Sequence, residues 1–138
     1  QSDYWPLGIG FVGTKTDETV VALRNVGVRL WNPKNGTVLK ELPIDVGDAP
    51  NVVVATSSDS GKVCVCPSAW PIPEDKNAKT RLMLWDPASP TEVDELVVPA
   101  LGTCLNATDI FPDGKYVVTT SHHAGVLVVD TSGKPKWN

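Results

Sequence analysis

One pattern, an apolar strand followed by a polar turn, occurs three times in this chain. The three segments are VRLWNPKNG at 28–36, LMLWDPASP at 82–90 and VLVVDTSGK at 126–134. In each segment an apolar run ends in Asn or Asp, and a turn built from Pro, Ser, Asn or Gly follows. Such repetition predicts a chain assembled from copies of one supersecondary unit, because a unit of this size buries its apolar face only by stacking on its neighbours.

The spacing of the three segments gives the length of the unit. The residues that end the apolar runs, Asn32, Asp86 and Asp130, lie 54 and 44 residues apart. The longer interval contains an insertion, WPIPEDKNAKT at 70–80, and removing about ten residues there makes the two intervals agree. The repeat is therefore a unit of about 44 residues with one insertion in its second copy.

Each unit contains four short strands, A to D. The segments FPDGKYVVT at 111–119 and SSDSGKVCV at 57–65 have the pattern of a hairpin that joins strand A to strand B. Strand C is apolar almost throughout, which is typical of a strand buried on both faces of a sheet. Strand D, as in TVLKELPI at 37–44 and TEVDELVV at 91–98, alternates polar and apolar residues, which favours an outer edge strand. The predicted fold class is all-β, in three four-stranded antiparallel sheets.

These residues resemble the WD-repeat family of β-propellers. RLMLWDPAS at 81–89 contains the Trp-Asp dipeptide at Trp85 and Asp86, and VRLWNPKNGTVLKEL at 28–42 is similar to the family's strand C, turn and strand D. The family's Gly-His pair and its Asp six residues before the Trp are absent, so the blades are degenerate. The resemblance implies three WD-like β-propeller blades in an incomplete ring. They span about 8–44, about 50–98 and about 103–138, the last with an incomplete strand D.

Three blades are fewer than the four to eight of known propellers. An open arc exposes an apolar blade face at each end, more apolar surface than a soluble monomer tolerates. We therefore expect the chain to be completed by other protein subunits, by further blades of the same propeller, or by a second copy that closes a ring as a homo-oligomer.

The resemblance implies a non-catalytic scaffold for protein–protein interaction, with no cofactor. An alternative comes from GVLVVDTSGKPKW at 125–137, which is also similar to the propeller repeat of quinoprotein dehydrogenases, with Gly133, Lys134 and Trp137 in the expected places. That similarity implies a blade segment of a quinone-dependent dehydrogenase. No phosphate-binding loop, zinc pattern or nucleophile motif occurs in the sequence, which favours the scaffold over an enzyme.

The candidate binding residues lie in the loops between strands B and C, on the rim where WD-repeat propellers commonly receive partners. In the insertion, Trp70 stands between Ala69 and Pro71, with Pro73 following, and an aromatic side chain held by prolines loses little entropy on binding. The alternative is that Trp70 folds back and covers its own blade. The charged residues that follow it, and the His pair of the third blade, complete the predicted rim. These are Glu74, Asp75, Lys76, His122 and His123.

Several polar residues are interpreted as structural. The two histidines are adjacent and have no Asp, Glu or Cys at ligand spacing, so no metal site is predicted. Asp109 and Asp113 flank Pro112 and are interpreted as turn formers rather than a catalytic pair. Trp31 and Trp85 are both predicted to lie in the core.

Net charge and composition limit the classes of partner and the cellular compartment that the sequence favours. The net charge is −4 and the basic residues are dispersed, whereas a phosphate-binding surface requires clustered ones, so nucleic acid is a poor candidate partner. No apolar run is long enough to span a bilayer. The three cysteines, Cys64, Cys66 and Cys104, cannot all pair within one chain and are expected to be reduced, mostly buried thiols. This favours an intracellular location, cytoplasmic or nuclear, but leaves the compartment open. Asn35 and Asn106 begin glycosylation triplets, a pattern common by chance.

Overall fold

The described part of the protein is built entirely from strands and turns. The computed structural model describes residues 6–12, 19–23, 27–46, 51–68, 80–89, 91–98, 105–121, 125–132 and 135–137. Within these residues, twelve strands form three four-stranded antiparallel sheets. The prediction of an all-β chain in three such sheets is confirmed.

Each sheet is one blade, and its strands follow one another in chain order. Blade 1 comprises β1 Pro6–Phe11, β2 Thr19–Leu23, β3 Gly27–Asn32 and β4 Thr37–Leu42. Blade 2 comprises β5 Asn51–Thr56, β6 Val63–Ser68, β7 Thr80–Trp85 and β8 Val93–Val98. Blade 3 comprises β9 Leu105–Ile110, β10 Tyr116–Ser121, β11 Gly125–Asp130 and the three-residue β12 Pro135–Trp137.

The first strands of the blades are neighbours in space. Strand β1 contacts β5, and β5 contacts β9, so the three A strands line one side of the assembly. Strands β4 and β8 lie at the opposite edge of their sheets, as the alternating pattern of strand D predicts. In blade 3, Trp137 of β12 pairs with Val128 of β11, while Gly133 and Lys134 lie outside the described residues.

Blade 2 has two buried faces because its inner strands contain the apolar, buried runs 63–66 in β6 and 82–85 in β7. Along β7, Leu82 and Leu84 belong to the core shared with blade 3, whereas Met83 and Trp85 belong to the core shared with blade 1. Successive side chains of a strand point to opposite faces, so one apolar run supplies both cores. The prediction that Trp85 lies in the core is confirmed.

Two apolar cores result, one at each contact between blades. The core between blades 1 and 2 is formed by Val12, Val28, Leu30, Leu42, Ile44, Val46, Val52, Val63, Val65, Met83 and Trp85. The core between blades 2 and 3 is formed by Ala55, Cys64, Cys66, Leu82, Leu84, Leu96, Ile110, Val117, Leu127 and Val129. The described residues thus form two hydrophobic cores instead of one, and each blade is stabilised by its neighbours, as in other repeat architectures.

Two cysteines act as small apolar side chains in the second core. Cys64 and Cys66 lie on the same face of β6 and are thiols rather than a disulfide. Burial raises the pKa of the Cys64 thiol to about 12, because the apolar surroundings disfavour the thiolate. Cys104 lies outside the described residues.

We expect Cys64 and Cys66 to resist alkylation in the folded protein, since the thiolate is the reactive form. Iodoacetamide at about pH 8 should leave both unmodified until guanidinium is added, as read by peptide mass spectrometry. The folded pKa of Cys64 lies above the ordinary value of 9.0, so its contribution to stability is complete below that pH and is lost as pH rises toward 12. Rapid native modification of either thiol would contradict the buried assignment.

The turn after strand C is built in the same way in all three blades. A side-chain oxygen of the residue that ends the apolar run accepts a hydrogen bond from the backbone N–H two residues later, which forms an Asx turn. The three bonds are Lys34 N to Asn32 Oδ1 at 2.9 Å, Ala88 N to Asp86 Oδ1 at 2.8 Å and Ser132 N to Asp130 Oδ1 at 3.0 Å. The Asn or Asp that defines the sequence repeat therefore has one structural role throughout.

The A–B turns of blades 2 and 3 are hydrogen-bonded to each other. Pro112 O accepts bonds from Ser57 Oγ at 2.7 Å and from the backbone N–H groups of Asp59 at 3.1 Å and Ser60 at 3.3 Å. Ser57 is fully buried, so these bonds satisfy a polar group that would otherwise destabilise the interface. Asp113 accepts from Lys115 N at 3.0 Å, which confirms its turn role.

Gly114 is required at this contact for two reasons. Its φ is +69°, a left-handed conformation that other residues adopt at a cost. A Cβ there would also lie 2.5 Å from Ser60 Oγ and 2.8 Å from Lys62 Cδ. Neither neighbour moves without loss, because Ser60 is hydrogen-bonded to Ser57 and Lys62 forms an ion pair with Asp86 at 3.2 Å.

Gly114→Ala should therefore destabilise the protein more than Gly36→Ala. Gly36 has a matching φ of +70°, but no atom lies within 4 Å of the position that its Cβ would take. Gly36→Ala therefore measures only the free-energy cost of a left-handed backbone conformation, about 1 kcal/mol. The crowded contact should add about 1–3 kcal/mol. Urea unfolding of the two variants measures the difference, and equal losses would show that the blade 2–blade 3 turn contact contributes nothing.

Candidate functional site

The rim residues predicted from the sequence lie outside the described part of the chain. Trp70, Glu74, Asp75 and Lys76 belong to the connection between β6 and β7, and the His122-His123 pair belongs to the connection between β10 and β11. Both are connections between strands B and C, so the described strands place their attachment points at the same end of blades 2 and 3.

An ion pair lies where the insertion rejoins blade 2. Arg81, the second residue of β7, donates from Nε to Glu95 Oε1 at 2.8 Å and from Nη2 to Glu95 Oε2 at 2.9 Å. These bonds lower the pKa of Glu95 and, together with the nearby Asp45 carboxylate, raise the pKa of Arg81. The two-point contact joins the exposed side chain of Arg81 to Glu95 on β8, next to the point where the insertion meets β7.

The second feature is an exposed apolar surface on blade 1. Alternation along β1 and β3 turns Val12, Val28 and Leu30 toward blade 2, and the intervening residues to the opposite side. We call that side the open face of blade 1. It consists of Ile9, Phe11, Arg29, Trp31, Val38 and Glu41.

The exposed fractions on this face are large for apolar residues. They are 65% for Ile9, 66% for Phe11 and 43% for Val38. Trp31 is only half-buried, so the prediction that it belongs to the core is wrong: its side chain lies on the side of β3 that has no neighbouring blade among the described residues. Trp85, in the same sequence context, is buried because blade 1 covers it.

Two polar hydrogens on the open face of blade 1 have no acceptor within the part of the chain that the structure describes. Arg29 Nη2 donates to Glu41 Oε1 at 2.7 Å, but Arg29 Nε and Trp31 Nε1 are buried and find no hydrogen-bond acceptor among the described residues. Unsatisfied buried donors are rare in native structures and each costs free energy. This face therefore combines an apolar surface with two unused donors.

Blade 3 has an exposed surface of the same kind. Val117, Ile110, Leu127 and Val129 pack on blade 2, so the alternate residues point away from it. We call this second surface the open face of blade 3. It consists of Asp109, Val118, Thr120, Val126 and Val128.

Val126 and Asp109 are both exposed on the open face of blade 3. Val126 is 59% exposed. Asp109 lies within β9 and is exposed, so its interpretation as a turn former is wrong: the A–B turn begins after Ile110. Sequence reasoning predicted two exposed blade faces but not these residues, which the alternation along strands A and C would have identified once the orientation of one strand was known.

The described residues contain no group of three or more His, Cys, Asp or Glu side chains that could hold a metal ion. In the same ranges, no helix is long and apolar enough to cross a membrane. The polar contacts between the described residues stabilise turns and blade contacts.

Comparison with known proteins identifies the architecture. No protein-family model matches the chain, and no curated protein matches it. Among solved structures, one described as "Structure of U3-55K", a WD40 propeller protein, superimposes with a TM-score of 0.70 at 13% sequence identity. The match covers 99% of this chain and 39% of that chain, so this chain spans well under half of the other's length. The likeness shows the fold: the three sheets are β-propeller blades.

Proposed function

We propose that this chain contributes blades to a WD-repeat β-propeller that acts as a non-catalytic scaffold for protein–protein interaction. The observation that supports the proposal is that polar side chains of the blades form structural contacts. Asn32, Asp86 and Asp130 cap turns, Ser57 joins two blades, and Arg81 is held by Glu95. In the described residues, these groups are occupied by structural contacts, which leaves surface recognition as the function that the blades support.

The insertion between β6 and β7 is the proposed binding element. Insertions in repeat folds occur in connections, often on the binding face. The strands on either side are well fixed: β6 and β7 are the buried centre of blade 2, and Arg81 is bonded to β8. The insertion thus leaves from and returns to two strands of the scaffold that are packed in the centre of blade 2. The proposed anchor is Trp70, with Glu74, Asp75, Lys76, His122 and His123 around it.

Site-specific photocrosslinking in cells tests this assignment. A photoreactive phenylalanine analogue at position 70 or 76 should give discrete adducts with a partner protein, because these positions lie on the proposed rim. The matched control is position 35, an exposed residue in the β3–β4 turn at the other end of the blades, which should give none. Equal crosslinking at both ends would contradict a rim-specific site.

Trp70→Ala should lower the affinity for the identified partner by at least about thirtyfold, since a buried interface Trp contributes about 2 kcal/mol or more to the binding free energy. The melting temperature measured on the same preparation should change little. A large loss of thermal stability with unchanged affinity would instead mean that Trp70 covers its own blade. Turnover of an alcohol or sugar by the native protein with quinone and calcium would contradict the non-catalytic assignment.

A further inference from the structure

The turn between β3 and β4 contains the one Asn-Gly dipeptide of the sequence, Asn35-Gly36. An asparagine followed by glycine can lose its side-chain nitrogen as ammonia. The next backbone nitrogen attacks the side-chain carbonyl carbon, and glycine has no Cβ to obstruct that approach. The ring that forms is a succinimide, which water opens to aspartate or to isoaspartate. The geometry of this turn therefore bears on a covalent modification of the chain.

The side chain of Asn35 is folded back over the turn. Its Oδ1 accepts hydrogen bonds from Thr37 N at 3.0 Å and from Thr37 Oγ1 at 2.8 Å. The ring closed by the first bond contains both reacting atoms, Asn35 Cγ and Gly36 N, so the carboxamide stays beside the nitrogen that attacks it. The attack moves negative charge onto Oδ1. The two Thr37 donors already point at this oxygen, in the manner of an oxyanion hole.

One contact in the turn opposes the reaction. Gly36 N donates to Asn32 O at 2.9 Å, and this hydrogen bond must break before the nitrogen attacks. Asn35, Gly36 and Thr37 are exposed, so water replaces the lost bond and the rate falls only by about fivefold. No atom lies within 4 Å of the position that a Gly36 Cβ would take, which leaves room for the succinimide and for the water that opens it.

We propose that Asn35 is a deamidation site of the folded chain, and that Thr37 accelerates the reaction by donating to Oδ1. The bond from Gly36 N to Asn35 Cγ forms, the Cγ–Nδ2 bond breaks, and ammonia leaves with the proton from Gly36 N. Hydrolysis of the succinimide consumes one water and leaves a carboxylate. Isoaspartate also lengthens the main chain between Asn32 and Thr37, which pair across β3 and β4. The modification therefore changes both the charge and the pairing at this end of blade 1.

The turn between β9 and β10 offers a matched comparison. Gly114 has a φ of +69°, close to the +70° of Gly36, and Asp113 Oδ1 accepts from Lys115 N at 3.0 Å. Position 115 supplies no hydroxyl, however, and Gly114 is packed closely against blade 2. Asp113→Asn therefore places the same dipeptide in a similar turn that has neither the second donor nor the open space.

Peptide mass spectrometry of the full 138-residue chain during incubation at mildly alkaline pH tests the site. Asn35 should convert to a mixture of aspartate and isoaspartate while circular dichroism shows that the chain stays folded. Thr37→Val keeps the shape of the side chain and removes the hydroxyl donor, so the conversion of Asn35 should slow by about threefold or more. Thr37→Ser retains a hydroxyl and should react at close to the wild-type rate.

The same chains in guanidinium separate the effect of the fold from that of the local sequence. Once the turn is unfolded, wild type and Thr37→Val should convert at nearly equal rates. An unchanged or faster conversion in folded Thr37→Val would overturn the role of Thr37, because it would mean that the turn only protects Asn35. An Asn35 that stays intact in the folded chain after the unfolded chain has converted would overturn the site itself.

The Asp113→Asn chain provides an internal comparison, since it has two Asn-Gly dipeptides in one molecule. Position 113 should convert about tenfold or more slowly than Asn35 while the chain is folded. Equal rates at the two positions would mean that the dipeptide alone sets the rate, and would contradict the contribution of the turn. None of these measurements involves a partner protein, so their outcome does not bear on the proposed binding element.

Discussion

Blade 2 is buried on both faces, and the rest of the structure depends on how its inner strands achieve this. Each residue of β7 from Leu82 to Trp85 is apolar, so both sides of the strand exclude water and the sheet becomes the common wall of two cores. A sheet of this kind is stable only between two others. The same requirement applied to blades 1 and 3 leaves one apolar face of each uncovered by the described residues.

Hydrogen bonds at the turns hold the blades in relation to one another. The Asx turn after strand C recurs at Asn32, Asp86 and Asp130, and Asp86 also forms an ion pair with Lys62 of the A–B turn. Ser57 and Pro112 then join the A–B turns of adjacent blades. The bonds to Pro112 O join neighbouring sheets, whereas the Asx turns and the Lys62–Asp86 pair stabilise turns within one blade.

Recognition and assembly use different parts of the same architecture. The ends of the strands attach the connections of the rim, where Arg81 and Glu95 form an ion pair next to the insertion that contains Trp70. The faces of the sheets, with Phe11 and Val126, provide for contact between blades. A change in the rim connections is therefore expected to leave the two cores between the blades intact.

The sequence by itself determined the strands, their order within each blade and the Asx turns, because alternation and turn chemistry are local. It also located the insertion and its candidate anchor Trp70. Only the tertiary structure decided which neighbour covers each face. Trp31 and Trp85 share one sequence context, yet Trp85 is buried and Trp31 is half-buried, because among the described residues a preceding blade covers only Trp85. Burial depends on the neighbouring sheet, and a strand's own residues do not encode whether that neighbour is present.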